Sequence, residues 1–215
     1  MIHFSKSDIE NFDKLYRINM INSCSGFKSA NLIGTKSMDA SPNLAIFSSV
    51  IHMGSNPPLL GFVIRPTKVE RNTYTNIKET GYYTINHVRY EFAEQAHHTS
   101  AKYESEVSEF EITGLNEVYR NGFSAPFVGQ SPVQIGLKFV EEYDIKANKT
   151  KLVIGEIMDV FLEDGLMDSD GFINLSKAEV VAITSLDGYS LTSDTVRYGY
   201  QRPYSKSKRL SQIKI

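Results

Sequence analysis

Tryptophan is absent, and a single cysteine, Cys24, stands in a chain of 215 residues. One thiol forms neither an internal disulfide nor a cysteine-based zinc cluster, and it suits a reducing compartment. Cys24 reads as a small apolar residue, not as a nucleophile. An excess of either charge is also missing: 23 Lys+Arg face 25 Asp+Glu, a net charge of −2. That balance excludes a dedicated nucleic-acid binder, whose domain is strongly basic. Long hydrophobic runs are lacking too. The uncharged stretch from Ala40 to Ile64 is interrupted by Pro42, Asn43, Asn56, Pro57 and Pro58, which excludes a membrane-spanning helix there. The residues from Met1 to Lys14 alternate charges and hold no apolar signal-peptide core. A soluble, cytoplasmic protein is expected.

Several catalytic signatures are missing as well. Neither a Gly-x-Gly-x-x-Gly nor a Gly-x4-Gly-Lys-Ser/Thr run occurs, so dinucleotide-fold and P-loop chemistry are not signalled. His-Glu-x-x-His is absent, and Gly129-Gln-Ser131-Pro-Val133 lacks the last glycine of a nucleophile elbow. Placing Gly171 at the sixth position of a calcium loop puts Leu166 first and Lys177 twelfth, where carboxylates are needed. Asp164 to Gly171 therefore reads as a turn. His97 and His98 point about 100° apart on a helix and read as a polar surface pair.

What is present is a series of short strands. Asn43 to Ile51 and Leu59 to Ile64 are apolar runs bracketed by Pro and Gly, Tyr82 to Val88 follows a Gly and is rich in β-formers, and Glu179 to Thr184 supplies one more strand. Val133, Ile135, Leu137 and Phe139 recur with period two. Leu152 to Leu162, after a polar turn at Ala147 to Thr150, predicts an antiparallel partner. Helices are expected over Lys6 to Met20, over Thr73 to Glu79 with Gly81 as C-cap, and over Tyr90 to His98. The length fits one domain burying roughly 70% of its unfolded surface. Many short strands and few helices predict a mainly β fold, a barrel or sandwich.

In order, these segments resemble the flavin reductase-like family, the FMN-binding split barrels that include flavoredoxin. The resemblance rests on Asn43-Leu-Ala-Ile-Phe-Ser48, then Asn56-Pro-Pro-Leu-Leu60, Arg71-Asn-Thr-Tyr-Thr-Asn-Ile77 and Tyr83-Thr-Ile-Asn-His-Val88. It continues through Ser108 to Leu115, Ala125-Pro126 with Ser131-Pro-Val133, Val153-Ile-Gly-Glu156, Asp170-Gly171, Leu186 to Tyr189 and Arg197 to Pro203. Three positions depart from the family pattern: Ile46 stands for the usual proline, Asn72 for the usual aspartate, and Gly136 at a common acidic position.

The resemblance implies a split β-barrel with a few short helices over residues 23–203, after an N-terminal helical extension over 1–22. A basic tail over 204–215 follows and reads as solvated, with a grip on an anionic ligand or partner subunit as the alternative. It implies FMN as cofactor, NAD(P)H as electron donor, a homodimer, and an oxidoreductase that passes hydride from the nicotinamide nucleotide to flavin N5. Electrons then go on to an acceptor protein or to free flavin. A non-catalytic FMN-binding electron carrier and a flavin-free interaction scaffold are the alternatives.

FMN needs its phosphate neutralised and its ring edge hydrogen-bonded, with one ring face left open. Arg65, Arg71, Asn72 and Thr73 supply charge and donors, together with the amides of the helix that they open. Asn43, Ala45, Ile46, Phe47, Ser48 and Ser49 form the strand expected to meet the ring. From the residues alone, Thr73 is a helix N-cap, Arg65 a solvated strand end, and Ala45 to Ser48 an ordinary core strand. The resemblance turns them towards flavin. Hydride transfer to flavin requires no protein acid or base, so no catalytic residue is named. Tyr198, Tyr200 and His98 read as packing or surface residues.

Overall fold

The computed structural model describes residues 1–66, 71–104, 107–204, 206–207 and 209–210. Two helices come first, α1 (Lys6–Asn11) and α2 (Lys14–Cys24), where the sequence predicts a single helix. Ser5 and Asp8 close α1 with a capping box. Phe12 then turns extended, with ψ 147°, and Asp13 restarts the chain as the N-cap of α2. The apolar spacing continues through the break because Phe12 stacks edge-on against both Phe4 and Tyr16. Neither helix buries a residue, and α2 ends beyond the expected limit of the extension, with Cys24 exposed.

The strands follow: β1 (Lys28–Ser29), β2 (Asn31–Lys36), β3 (Pro42–Phe47), β4 (Ile51–Ser55) and β5 (Pro58–Ile64). Next come α3 (Asn72–Thr80), β6 (Tyr82–His87), a 3-10 turn (Tyr90–Phe92), α4 (Ala93–His98) and α5 (Glu109–Thr113). The chain continues with β7 (Glu117–Val118), β8 (Phe127–Val128), β9 (Val133–Ile145), β10 (Thr150–Leu162), β11 (Val181–Thr184) and β12 (Gly188–Leu191). Gly81 ends α3 in the left-handed region at φ 76°, as its position predicts. Gly136 has a steric reason: a Cβ there would sit 2.9 Å from the Phe123 ring. An acidic side chain would displace that ring.

Seven strands make one antiparallel sheet in the order β3-β2-β6-β9-β10-β5-β4. β3 and β4 stand at opposite ends of that order, yet only residues 48–50 join them. Four Cα steps reach at most about 14 Å, so the sheet curls until its two edges nearly meet. No ladder pairs β3 with β4 among the described residues; the barrel is split along that seam. The single strand predicted over Asn43 to Ile51 is thus two strands. The break comes where Ser49 leaves the ladder: its Oγ donates to the Val63 carbonyl at 3.2 Å and accepts the Val63 amide at 3.1 Å.

Alternation along β2 divides the core. Ile33 faces the barrel interior with Phe62, Ile77, Tyr83, Ile85, Ile135 and Val153. Leu32 faces outward into a second core with Leu44, Val88, Phe92, Ala96 and Phe110, where α4 and α5 cover the sheet. Smaller sheets β1-β11-β12 and β7-β8 flank the barrel. The Asp164–Gly171 turn is held by Arg197, which pairs with Asp168 at 3.2 Å and Asp170 at 2.6 Å. Of the basic tail, positions 205, 208 and 211–215 lie outside the described residues. Among the described residues, no helix is long and apolar enough to cross a membrane.

Candidate functional site

β3 is an edge strand, so half of its backbone groups face away from β2. The direction follows from one contact: the Leu44 amide donates to Glu109 Oε2 at 2.9 Å, across the open edge. Antiparallel ladders alternate, so Asn43, Ala45 and Phe47 bond to β2 opposite Thr35, Ile33 and Asn31. Pro42, Leu44 and Ile46 point outward. Pro42 has no N–H to lose there, which is why the edge tolerates it.

The site expected over Ala45 to Ser48 narrows accordingly. Ala45 and Phe47 commit their amides to the ladder, and Phe47 turns its ring inward, 5.2 Å from that of Phe62. Ile46 keeps an outward amide, while its side chain packs against the outer core. Ser48, just past the ladder, has neither its amide nor its hydroxyl bonded among the described residues. Ser49 has its hydroxyl engaged by the Val63 main chain, where it serves the seam.

The opening of α3 lies beside the start of β3. Asn43 Nδ2 donates to Thr73 Oγ1 at 3.1 Å and to Thr35 Oγ1 at 3.2 Å, and Asn76 Nδ2 donates to Thr35 Oγ1 at 3.1 Å. All four residues are buried. Thr73 is therefore not the helix N-cap: it stands inside the first turn, held by Asn43. Arg71 occupies the N-cap position, and no side chain caps the helix. The first amides of α3 have no intrahelical acceptor and carry the positive end of the helix dipole. Arg71 adds a guanidinium whose Nε is buried without a hydrogen-bond partner among the described residues. A buried donor left unpaired is costly, and an anion at this helix end would satisfy it. Asn72 is half-buried at the first helical position. Arg65 is exposed just past β5, two residues beyond Val63 and hence near the Ser49 seam.

The sequence missed Glu109, Thr35 and Asn76. Thr35 and Asn76 look like ordinary polar residues of a strand and a helix, and their contacts come from folding. Glu109 lies 65 positions from Leu44. Burial raises its pKa, opposed by hydrogen bonds from Leu44 and its own main chain. His97 and His98 are exposed and bond to Tyr189 at 3.1 Å and Tyr103 at 2.9 Å. Tyr198 and Tyr200 are exposed.

A flavin reductase like domain matches residues 26–175. The chain belongs to the flavin reductase-like family. A Shewanella frigidimarina protein, described as a candidate flavin reductase with a split barrel domain, is 48% identical. That match covers 94% of this chain and 100% of the other, with a TM-score of 0.90. An uncharacterized protein of Aquifex aeolicus is 27% identical over 150 residues, 67% of this chain and 74% of its own. The fold is shared with a 2-nitrobenzoate 2-nitroreductase of Pseudomonas fluorescens, at TM-score 0.79 and 19% identity over 95% of this chain and 99% of that one. Members of this family with the split barrel share the mostly antiparallel architecture described above.

Proposed function

We propose that this family member binds FMN between the β3 edge and the opening of α3, and reduces it as an NAD(P)H-dependent flavin reductase. The observation that carries the reading is the buried, unpartnered Nε of Arg71 beside a helix start that no side chain caps. These donors fit a phosphate dianion: a guanidinium and main-chain amides converge on one helix end. Asn72 adds a neutral donor, and Arg65 adds charge from the end of β5. The outward amide of Ile46 and the amide and hydroxyl of Ser48 meet the acceptor-rich edge of the ring. Asn43 and Thr73 position strand and helix and bond to each other.

Bound flavin supplies the hydride acceptor, so the chain's residues bind, orient and exclude water. The protein works as a homodimer in the cytoplasm. Supporting the dimer, Ile51 and Met53 on β4, Val140 and Tyr143 on β9, and Met158 and Val160 on β10 are exposed, the kind of apolar surface that a second copy covers.

The test is an absorbance spectrum of purified protein before and after anaerobic NADH or NADPH. Yellow protein that bleaches with either nucleotide is the expected result. Yellow protein that neither nucleotide bleaches would be an electron carrier reduced by a partner. Colourless protein that leaves added FMN fluorescence unquenched would end the flavin reading.

A further inference from the structure

We propose that Glu109 is a positioning residue for the flavin: its carboxylate pins the open edge of β3 and sets the charge beside the ring. This inference rests on the reading that flavin lies along that edge. Glu109 opens α5, a helix that packs on β3, and its Oε2 accepts the Leu44 amide at 2.9 Å. Leu44 and Ile46 belong to the same outward set, two residues and so about 7 Å apart along the strand. The contact therefore covers one amide of the edge and leaves the next one open. Without it, β3 would be an uncovered edge, free to slip or to pair with another chain.

The choice of a carboxylate matters. A neutral acceptor would satisfy one amide equally well, whereas a half-buried carboxylate also bears desolvation. The neighbouring Ser108 is 8% exposed, and its hydroxyl has no partner among the described residues. The corner at 108–109 thus holds both an anion and an unused hydroxyl beside the strand that carries the ring-binding amides. With flavin held by the Ile46 amide, two strand residues from Leu44, the carboxylate would fall inside the screening length of physiological salt. It disfavours further negative charge on the ring and so lowers the potential at which bound flavin is reduced.

The experiment compares wild type, Glu109→Gln and Glu109→Ala in three measurements: FMN affinity by fluorescence quenching, the midpoint potential of bound FMN by spectroelectrochemical titration, and the thermal midpoint. Glu109→Ala weakens FMN binding roughly tenfold, as expected for a lost charged hydrogen bond. Glu109→Gln can still accept the Leu44 amide; it restores affinity to within about twofold and shifts the potential upward. A Gln variant with the wild-type potential would overturn the proposal, even if the Ala variant fails to fold. So would a pair of variants that lose thermal stability alike with no rescue by Gln. Wild-type protein that does not quench FMN at all would instead remove the flavin reading beneath it. Wild type that binds FMN, with variants unchanged in affinity and potential, removes only the role of Glu109.

Discussion

Two sets of polar groups along β3 and the opening of α3 behave in opposite ways. The Thr35–Asn43–Thr73–Asn76 cluster is closed: its hydroxyls and amides bond to one another, and each residue is buried. A second set, Arg71 Nε at the start of α3 and, at the far end of β3, Ser48 and the outward Ile46 amide, is open among the described residues. The closed cluster locks strand to helix, and the open one is shaped for something that the chain does not contain. Satisfied polar networks build folds, whereas unsatisfied ones mark sites or strain.

The comparison breaks most visibly at another orphan, His87. It stands opposite Asn31 in the ladder, its Nδ1 buried without a partner among the described residues, and burial pushes its pKa down to about 4. In the unfolded chain a histidine titrates near 6.5. Between those values the unfolded state binds the extra proton, so stability falls as pH drops from about 6.5 to about 4. The loss reaches about 3 kcal/mol and saturates below pH 4. Urea unfolding at several pH values measures it, and His87→Gln flattens that stretch of the curve. This orphan therefore responds to protons, while the Arg71 orphan responds to an anion.

Smaller changes sharpen the contrast between the two clusters. Asn43→Ala strips partners from Thr35 and Thr73 in a buried setting and lowers the unfolding free energy by about 2 kcal/mol, read from denaturant midpoints. Arg71→Ala removes a buried donor that lacks a partner among the described residues, so unfolding stability stays at or slightly above wild type. It weakens FMN by at least roughly tenfold in a quenching titration, the cost of one charge-assisted hydrogen bond. Ile46→Pro removes an amide that points out of the ladder, so it costs less than about 1 kcal/mol in stability. Its FMN affinity drops only a few fold, and a collapse of the fold would show that the outward assignment of that amide is wrong.

Much of the scaffold was legible in the residues. Period-two alternation from Val133 to Phe139 lies within β9, and Gly81 closes α3 at the predicted place. The family pattern points to Arg71 and Ser48 as site residues; Arg71 Nε is buried with no partner among the described residues, and Ser48 is half-buried just past β3. The split at Ser48–Val50 escaped the sequence because Ile46, Phe47, Val50 and Ile51 keep an apolar rhythm across it. Only the curl of seven strands places the seam there. β2 was passed over because Asn31, Gly34 and Thr35 carry little strand signal, although two partner strands bury it. The helix break at Phe12 escaped because the apolar spacing runs through it; Asp13 takes the N-cap position of α2 without a side-chain capping bond. Glu109 escaped because its partner is a main-chain amide far away in the chain, which no local pattern encodes.

The central claim is that the opening of α3 takes a phosphate. Quenching titrations with FMN and with riboflavin, which lacks that phosphate, test it directly when run on wild type and Arg71→Ala. Wild type preferring FMN at least roughly tenfold, with Arg71→Ala binding the two alike, is the result expected. Equal affinity of wild type for FMN and riboflavin would contradict it.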